Sequence, residues 1–381
     1  MKALRQLERG QALHYADVPV PTTEPGTAVV KIIAAGIISY TREVYNQTRP
    51  YPYPTPITVG SSAIARIDSV GPDATSLKSG QLVLFDVTVR SRDKPSDVFL
   101  GAVHQGFSAG SAKLMSHFRD GAFAEYMRMP LENFYPLNES VLLGSPSTGG
   151  LGYAMNDLLY LSKLVIPYGG LADIGLRPGE TIIIGPATGG FGSAAVHVAL
   201  SLGARVVALG RNQETLAKVK EALSAIFPPG RLITAPILPE PEPQLAAIKT
   251  ALESFNCPDG ADCFFDISPP FASKSAHFKA SILSLRHSGR VSLMGGQLDD
   301  VPIPHMKVMH SNLSLRGKWM YERQDVRDLI KLVENGVVPL KLGKETDATT
   351  KAFKLEDWSD GFDFAADKQG MGVGAYFQIK E

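Results

Sequence analysis

Residues 181–212, TIIIGPATGGFGSAAVHVALSLGARVVALGRN, read as strand, glycine turn, helix and strand, and few folds accept that order. Residues 181–184 are a β-branched run closed by Gly185, with the length and composition of a buried parallel strand. Ala187, Gly189 and Gly192 occupy the three positions of a G-x-G-x-x-G fingerprint, with alanine in the first, and Thr188, Gly190 and Phe191 complete the turn. Bare backbone at such positions lets amide groups approach a pyrophosphate at a helix N-terminus. From Phe191 onward Ala194, Ala195, Val198, Ala199 and Leu202 recur at helical spacing, a stripe small enough to lie close on a sheet. Residues 205–209 then form the second strand.

About 20 residues past such a turn, an Asp or Glu ordinarily holds a ribose 2′-hydroxyl. This chain has Gly210, Arg211 and Asn212 there. An acid would repel a 2′-phosphate, whereas a guanidinium offers it a planar fork of donors, and Gly210 keeps a side chain out of its way. NADPH is therefore the expected cofactor. A glycine turn that only makes a tight connection is the plainer reading, but strand, helix, second strand and Arg211 stand together in register.

The chain has 381 residues, more than one ordinary core needs, and 44% of them are hydrophobic. Its 38 basic and 38 acidic side chains balance, and no basic cluster is visible, so neither nucleic acid nor an anionic membrane is an expected partner. A small-molecule substrate is. Only Cys257 and Cys263 carry thiols, which excludes a disulfide framework or a four-cysteine zinc lobe and fits a cytoplasmic setting. No signal-like N-terminus or long apolar run appears.

The first 160 residues have short β-rich runs, such as 28–33 and 82–87, broken by Gly, Pro and Asp, which suggests a compact β domain. Between them, residues 41–60 hold four prolines with Tyr45, Tyr51 and Tyr53, the composition of a fixed irregular loop. After the turn, helices are expected at 213–224, 245–255, 273–285 and 325–334, and strands at 261–267 and 290–295. The proline-rich segment 227–244 reads as a surface excursion.

Several phrases carry a family resemblance: Ala34-Ala35-Gly36-Ile37, Val59-Gly60, Asp120-Gly121-Ala122-Phe123-Ala124-Glu125-Tyr126, Arg177-Pro178-Gly179-Glu180 and Gly289-Arg290-Val291. In this order and spacing the chain resembles the medium-chain dehydrogenase/reductase superfamily over nearly its whole length. The resemblance implies an α/β architecture. A GroES-like β-rich catalytic domain would span 1–163, completed by 321–381, and a Rossmann doubly wound parallel-sheet dinucleotide domain would span 164–320. It also implies that Met294 and Gly295 lie beside the nicotinamide, and by analogy a homodimer.

Zinc members of that superfamily carry a cysteine after the first phrase and a His-Glu pair after the Val-Gly step. This chain has Ile38 and Ser61-Ser62, and a third metal position aligns with Ser162. No metal is expected. Zinc-free relatives typically pass hydride from NADPH to enones, enoyl thioesters or quinones, which need only a modest acid. Tyr40, two residues past the vacated cysteine, is the candidate, with an ordinary pKa of about 10 that keeps it protonated at neutral pH. Packing at a domain boundary is the equally weighted alternative for Tyr40. A zinc-independent carbonyl reductase and a non-catalytic NADPH-binding protein remain as alternative functions.

Overall fold

A computed structural model describes residues 1–342, 350–368 and 370–379. The chain divides into two compact units: residues 1–162, 350–368 and 373–379 form the first, and 163–342 with 370–372 the second. The expected return at 321 differs from this division, because the Arg323–Glu334 helix belongs to the second unit.

The second unit is built on a six-stranded parallel sheet. From edge to edge it runs Leu232–Pro236, Arg205–Gly210, Thr181–Gly185, Ala261–Asp266, Leu285–Leu293 and Ser314–Gly317. Numbered along the chain this is the 3-2-1-4-5-6 order of doubly wound dinucleotide folds, whose order reverses between the first and fourth strands. Gly185 and Asp266 are register partners at the C-terminal ends of those two strands. Helices Gly190–Ser201, Gln213–Ser224, Pro241–Ser254 and Ala276–Leu283 make the crossovers. Ile183, Val207, Phe264 and Val291 are buried in one core between sheet and helices.

Two elements differ from expectation. The excursion at 227–244 contains the edge strand Leu232–Pro236, which tolerates Pro236 because an edge strand needs no further ladder donor. The next helix begins at Pro241, a residue pre-set for a first helical position, rather than at 245.

In the first unit, the long Thr27–Ile37 strand pairs antiparallel with Ala63–Val70, Tyr126–Pro130 and Ala375–Gln378 within a seven-stranded sheet. A three-stranded sheet joins Lys2–Gln6 to its neighbours His14–Asp17 and Ile57–Thr58. Phe85, Phe99, Phe123, Phe362 and Phe377 fill the core. The loop after the long strand is not wholly irregular: Thr41–Tyr45 makes a short helix. Ala109–His117 is a further helix, closed by a Ser108–Ser111 capping box, that its low apolar periodicity concealed.

Ile183→Ala should cost about 2–5 kcal/mol, because the side chain is fully buried in the central strand. Urea unfolding of the variant measures it, and a loss below about 1 kcal/mol would contradict that placement.

Candidate functional site

In the second unit the fingerprint residues lie between the end of the Thr181–Gly185 strand and the Gly190–Ser201 helix. The Ala187 amide donates to the Leu209 carbonyl at 2.7 Å, which ties the turn to the neighbouring strand. A Cβ on Gly192 would stand 2.0 Å from the Pro186 carbonyl oxygen, so only glycine lets the helix start this close to the strand. Gly189 is the N-cap, no side chain caps this helix, and nothing stands within 4 Å of where a Gly189 Cβ would be. A helix end of this kind, with open space before it, suits a phosphate.

Across the turn, a Cβ on Gly210 would meet Thr188 Cγ2 at 2.7 Å and Leu216 Cδ1 at 3.2 Å, which gives this glycine a packing reason beside the expected one. Arg211 is exposed, and among the described residues no carboxylate forms a salt bridge with it. Asn212 spends its side-chain oxygen on a structural task, accepting the Thr215 amide at 3.0 Å as N-cap of Gln213–Ser224. Lys218 pairs with Glu214 at 2.7 Å on the exposed face of that helix. Met294 and Gly295 follow the Leu285–Leu293 strand, where the Met294 amide donates to the Asp266 carbonyl at 2.9 Å.

Beneath the turn lies a polar group that sequence reading missed. Asp266, Ser268 and His277 are all buried at the point where the strand order reverses. Ser268 Oγ donates to Asp266 Oδ1 at 2.5 Å and lies 3.1 Å from His277 Nε2, while Ser275 Oγ stands 2.6 Å from His277 Nδ1. A neutral imidazole with its proton on Nε2 satisfies every partner. Burial pushes the Asp266 carboxyl up from 3.8 to about 6, against the hydrogen bonds it accepts. Burial, with a smaller contribution from the Arg211 charge, pushes His277 down from 6.5 to about 4. No motif links residues 266 and 277; helix and strand bring them together.

In the first unit, Ile38, Tyr40, Thr41, Val44, Tyr45, Gly60, Ser61, Val103 and Phe123 line a small cavity. Tyr45 Oη accepts the Gly60 amide at 2.9 Å and donates to the Ala102 carbonyl at 3.1 Å, so its hydroxyl serves the fold. Tyr53 is likewise fixed, donating to Gln6 Oε1 at 2.7 Å. Tyr40 is different. The Arg49 guanidinium lies 4.3 Å from its ring centre, and Arg49 is held by Glu43 Oε2 at 3.0 and 3.1 Å. Burial raises the Tyr40 phenol well above its ordinary pKa, with Tyr51 adding to the rise and Arg49 opposing it.

The alcohol dehydrogenase GroES-like domain family matches residues 24–139, and the zinc-binding dehydrogenase family matches 190–335. An L-threonine 3-dehydrogenase of Anaeromyxobacter sp. (strain K) is 23% identical over 380 residues, covering 95% of each chain. The solved alcohol dehydrogenase TADH from Thermus sp. ATN1 superposes with a TM-score of 0.76 at 19% identity, over 100% of both chains. A zinc-binding dehydrogenase from Sinorhizobium meliloti 1021, described as putative and bound to NADP, gives 0.72 at 19% identity over 99% of both. The chain belongs to the medium-chain dehydrogenase/reductase superfamily. It is an oxidoreductase of that superfamily, whose members use nicotinamide cofactors.

The residues of this member do not fit the zinc that one matching family is named for. Ile38 offers no ligand atom, Ser61 and Ser62 are buried hydroxyls, and Ser162 Oγ donates to the Leu159 carbonyl at 2.7 Å. Among the described residues no three His, Cys, Asp or Glu side chains are grouped to hold a metal, whereas zinc sites take three or four such ligands. His104, which the sequence offers nearby, accepts the Gly106 amide through Nδ1 at 2.9 Å. Cys257 and Cys263 are free thiols, the second buried. No helix among the described residues is long and apolar enough to cross a membrane.

The buried Asp266–His277 pair predicts a pH signature. Between about pH 4 and 6 the folded state holds a proton on Asp266 that the unfolded state has lost, so this contribution falls as pH rises. His277 does the opposite over about pH 4 to 6.5, since the unfolded state binds the extra proton. The two slopes nearly cancel. Asp266→Asn leaves the histidine slope uncompensated, so stability should rise about 1.4 kcal/mol per pH unit more steeply than in the wild type over that window. Urea unfolding across it decides, and parallel curves would refute the assignment.

Proposed function

We propose that this chain is an NADPH-dependent, zinc-independent reductase that passes hydride to an activated carbon–carbon double bond, as in an enone or enoyl thioester, or to a quinone. The observation that carries this reading is the lining of the small cavity of the first unit, where Tyr40 stands with Ile38 and Ser61, two residues that align with ligand positions of zinc relatives, as Ser62 and Ser162 also do in sequence. Without a Lewis acid, a substrate that delocalises its own developing charge is the easier one to reduce.

On this reading Ala187, Thr188, Gly189, Gly190, Phe191 and Gly192 present backbone to the pyrophosphate, with Gly185 at the strand end behind them. Arg211, flanked by Gly210 and Asn212, reads the 2′-phosphate, and Met294 and Gly295 face the nicotinamide. When bound, the cofactor supplies hydride to the substrate's electron-poor carbon. Tyr40 Oη supplies the matching proton to the enolate, and water restores the phenol. Burial keeps Tyr40 protonated until that moment, and the Arg49 cation over its ring offsets the charge left behind.

The names of the relatives favour a second reading, a zinc-independent carbonyl reductase or alcohol dehydrogenase in which Tyr40 polarises the carbonyl. We also propose a homodimer through the edge strand Ser314–Gly317, shortly before which in sequence Ile303, Met306 and Met309 are exposed. Gel filtration at twice the monomer mass would support it. Two free cysteines suit a cytoplasmic setting.

NADPH oxidation by chelator-treated protein, followed with enones, quinones, aldehydes and ketones, tests the function. Turnover of enones or quinones alone supports the reductase, activity on aldehydes or ketones alone supports the second reading, and tight NADPH binding without turnover supports a non-catalytic role. Tyr40→Phe should lower kcat by about 10²–10⁴ with little change in cofactor affinity. Arg211→Ala should weaken NADPH by about 1–3 kcal/mol and spare NADH, and equal losses would refute its role.

A further inference from the structure

Lys163 lies in the helix Leu161–Asp173. Two glycines seat this helix tightly within the second unit: a Cβ on Gly169 would stand 2.5 Å from Tyr321 Cβ, and one on Gly170 would stand 2.2 Å from Met294 Sδ and 2.8 Å from Phe265 Cε2. That seating delivers the Lys163 ammonium to the glycine turn. Nζ donates to the Gly372 carbonyl at 2.8 Å and lies 3.9 Å from the point a Gly190 Cβ would occupy. The fingerprint itself asks for three small positions, and Gly190 is a fourth. A Cβ there would also meet the Gly370 carbonyl oxygen at 3.3 Å, so the bare backbone lets the amine and the 370–372 segment pack against the turn.

Two positive ends therefore converge on one place, the ammonium and the uncapped N-terminus of Gly190–Ser201, with open space before Gly189. Burial pushes the amine down to about 8, the mark of a charge held with little water around it. An anion before the turn gains from both ends.

We propose that Lys163 is a ligand of the cofactor's diphosphate, the part that NADPH and NADH share, while Arg211 reads the 2′-phosphate that only NADPH has. The inference rests on the nicotinamide-cofactor reading above. It divides recognition between two cations: Lys163 sets affinity for either dinucleotide, and Arg211 sets the choice between them.

Fluorescence titration of the full chain with NADPH, NADH, ADP-ribose and adenosine 2′-monophosphate tests the division. Lys163→Met should weaken NADPH, NADH and ADP-ribose alike, by about 10- to 100-fold, and leave adenosine 2′-monophosphate unchanged. Lys163→Arg, which keeps the charge, should recover most of the loss. Unchanged ADP-ribose affinity in Lys163→Met overturns the inference. So does an equal loss of adenosine 2′-monophosphate, which would mark a disturbed fold rather than a missing ligand. A wild type that binds ADP-ribose through Lys163 without preferring NADPH refutes the Arg211 reading alone.

Discussion

The site of the second unit depends on one absent methyl group. With 2.0 Å between the Pro186 carbonyl and the place of a Gly192 Cβ, the Gly190–Ser201 helix can begin directly above the strand that feeds it. That closeness aims the first helical amides across the sheet end, and the Ala187–Leu209 hydrogen bond fixes the turn against the next strand, whose end carries Arg211. Without the close start, the helix dipole, the open space before Gly189 and the Lys163 ammonium would not share a focus. Sheet order supplies the rest, since the first and fourth strands part where the chain reverses direction across the sheet.

Below that focus the interior is polar. Asp266 and His277 are both pushed toward neutrality by burial, and Ser268 and Ser275 satisfy the imidazole. The first unit solves a different problem with similar means. Tyr45 ties Gly60 to Ala102 through one buried hydroxyl, and Arg49, anchored by Glu43, covers the ring of Tyr40.

How much of this was legible in the sequence follows from how local each signal is. The Thr181–Gly185 strand, the glycine turn and Arg211 stand within one short stretch with opposed periodicities, so residue order alone exposes them. Ile38 and Ser61-Ser62 were legible for the same reason, each beside a recognisable phrase. Leu232–Pro236 was hidden because its strand signal sits among prolines that only an edge position tolerates. The short Thr41–Tyr45 helix was hidden by the prolines that follow it. Lys163 resembles any lysine on a helix until its neighbours are known, and the Asp266–His277 network joins residues that no motif connects. Long-range packing made those two features, and no window along the chain contains it.

The pairing of Ala375–Gln378 with Thr27–Ile37 has a consequence for biosynthesis. The second unit is nearly continuous in sequence and can complete its sheet once residue 317 has left the ribosome. The first unit, although made earlier, must hold the Ala34–Ile37 end of its longest strand unpaired on one edge until residue 378 arrives, while Tyr126–Pro130 already covers residues 27–31. In vectorial synthesis the order of completion is therefore reversed: the later-made half closes first, and the earlier-made half waits with a hydrophobic strand edge exposed, the period in which a nascent chain is most open to aggregation and most in need of a chaperone.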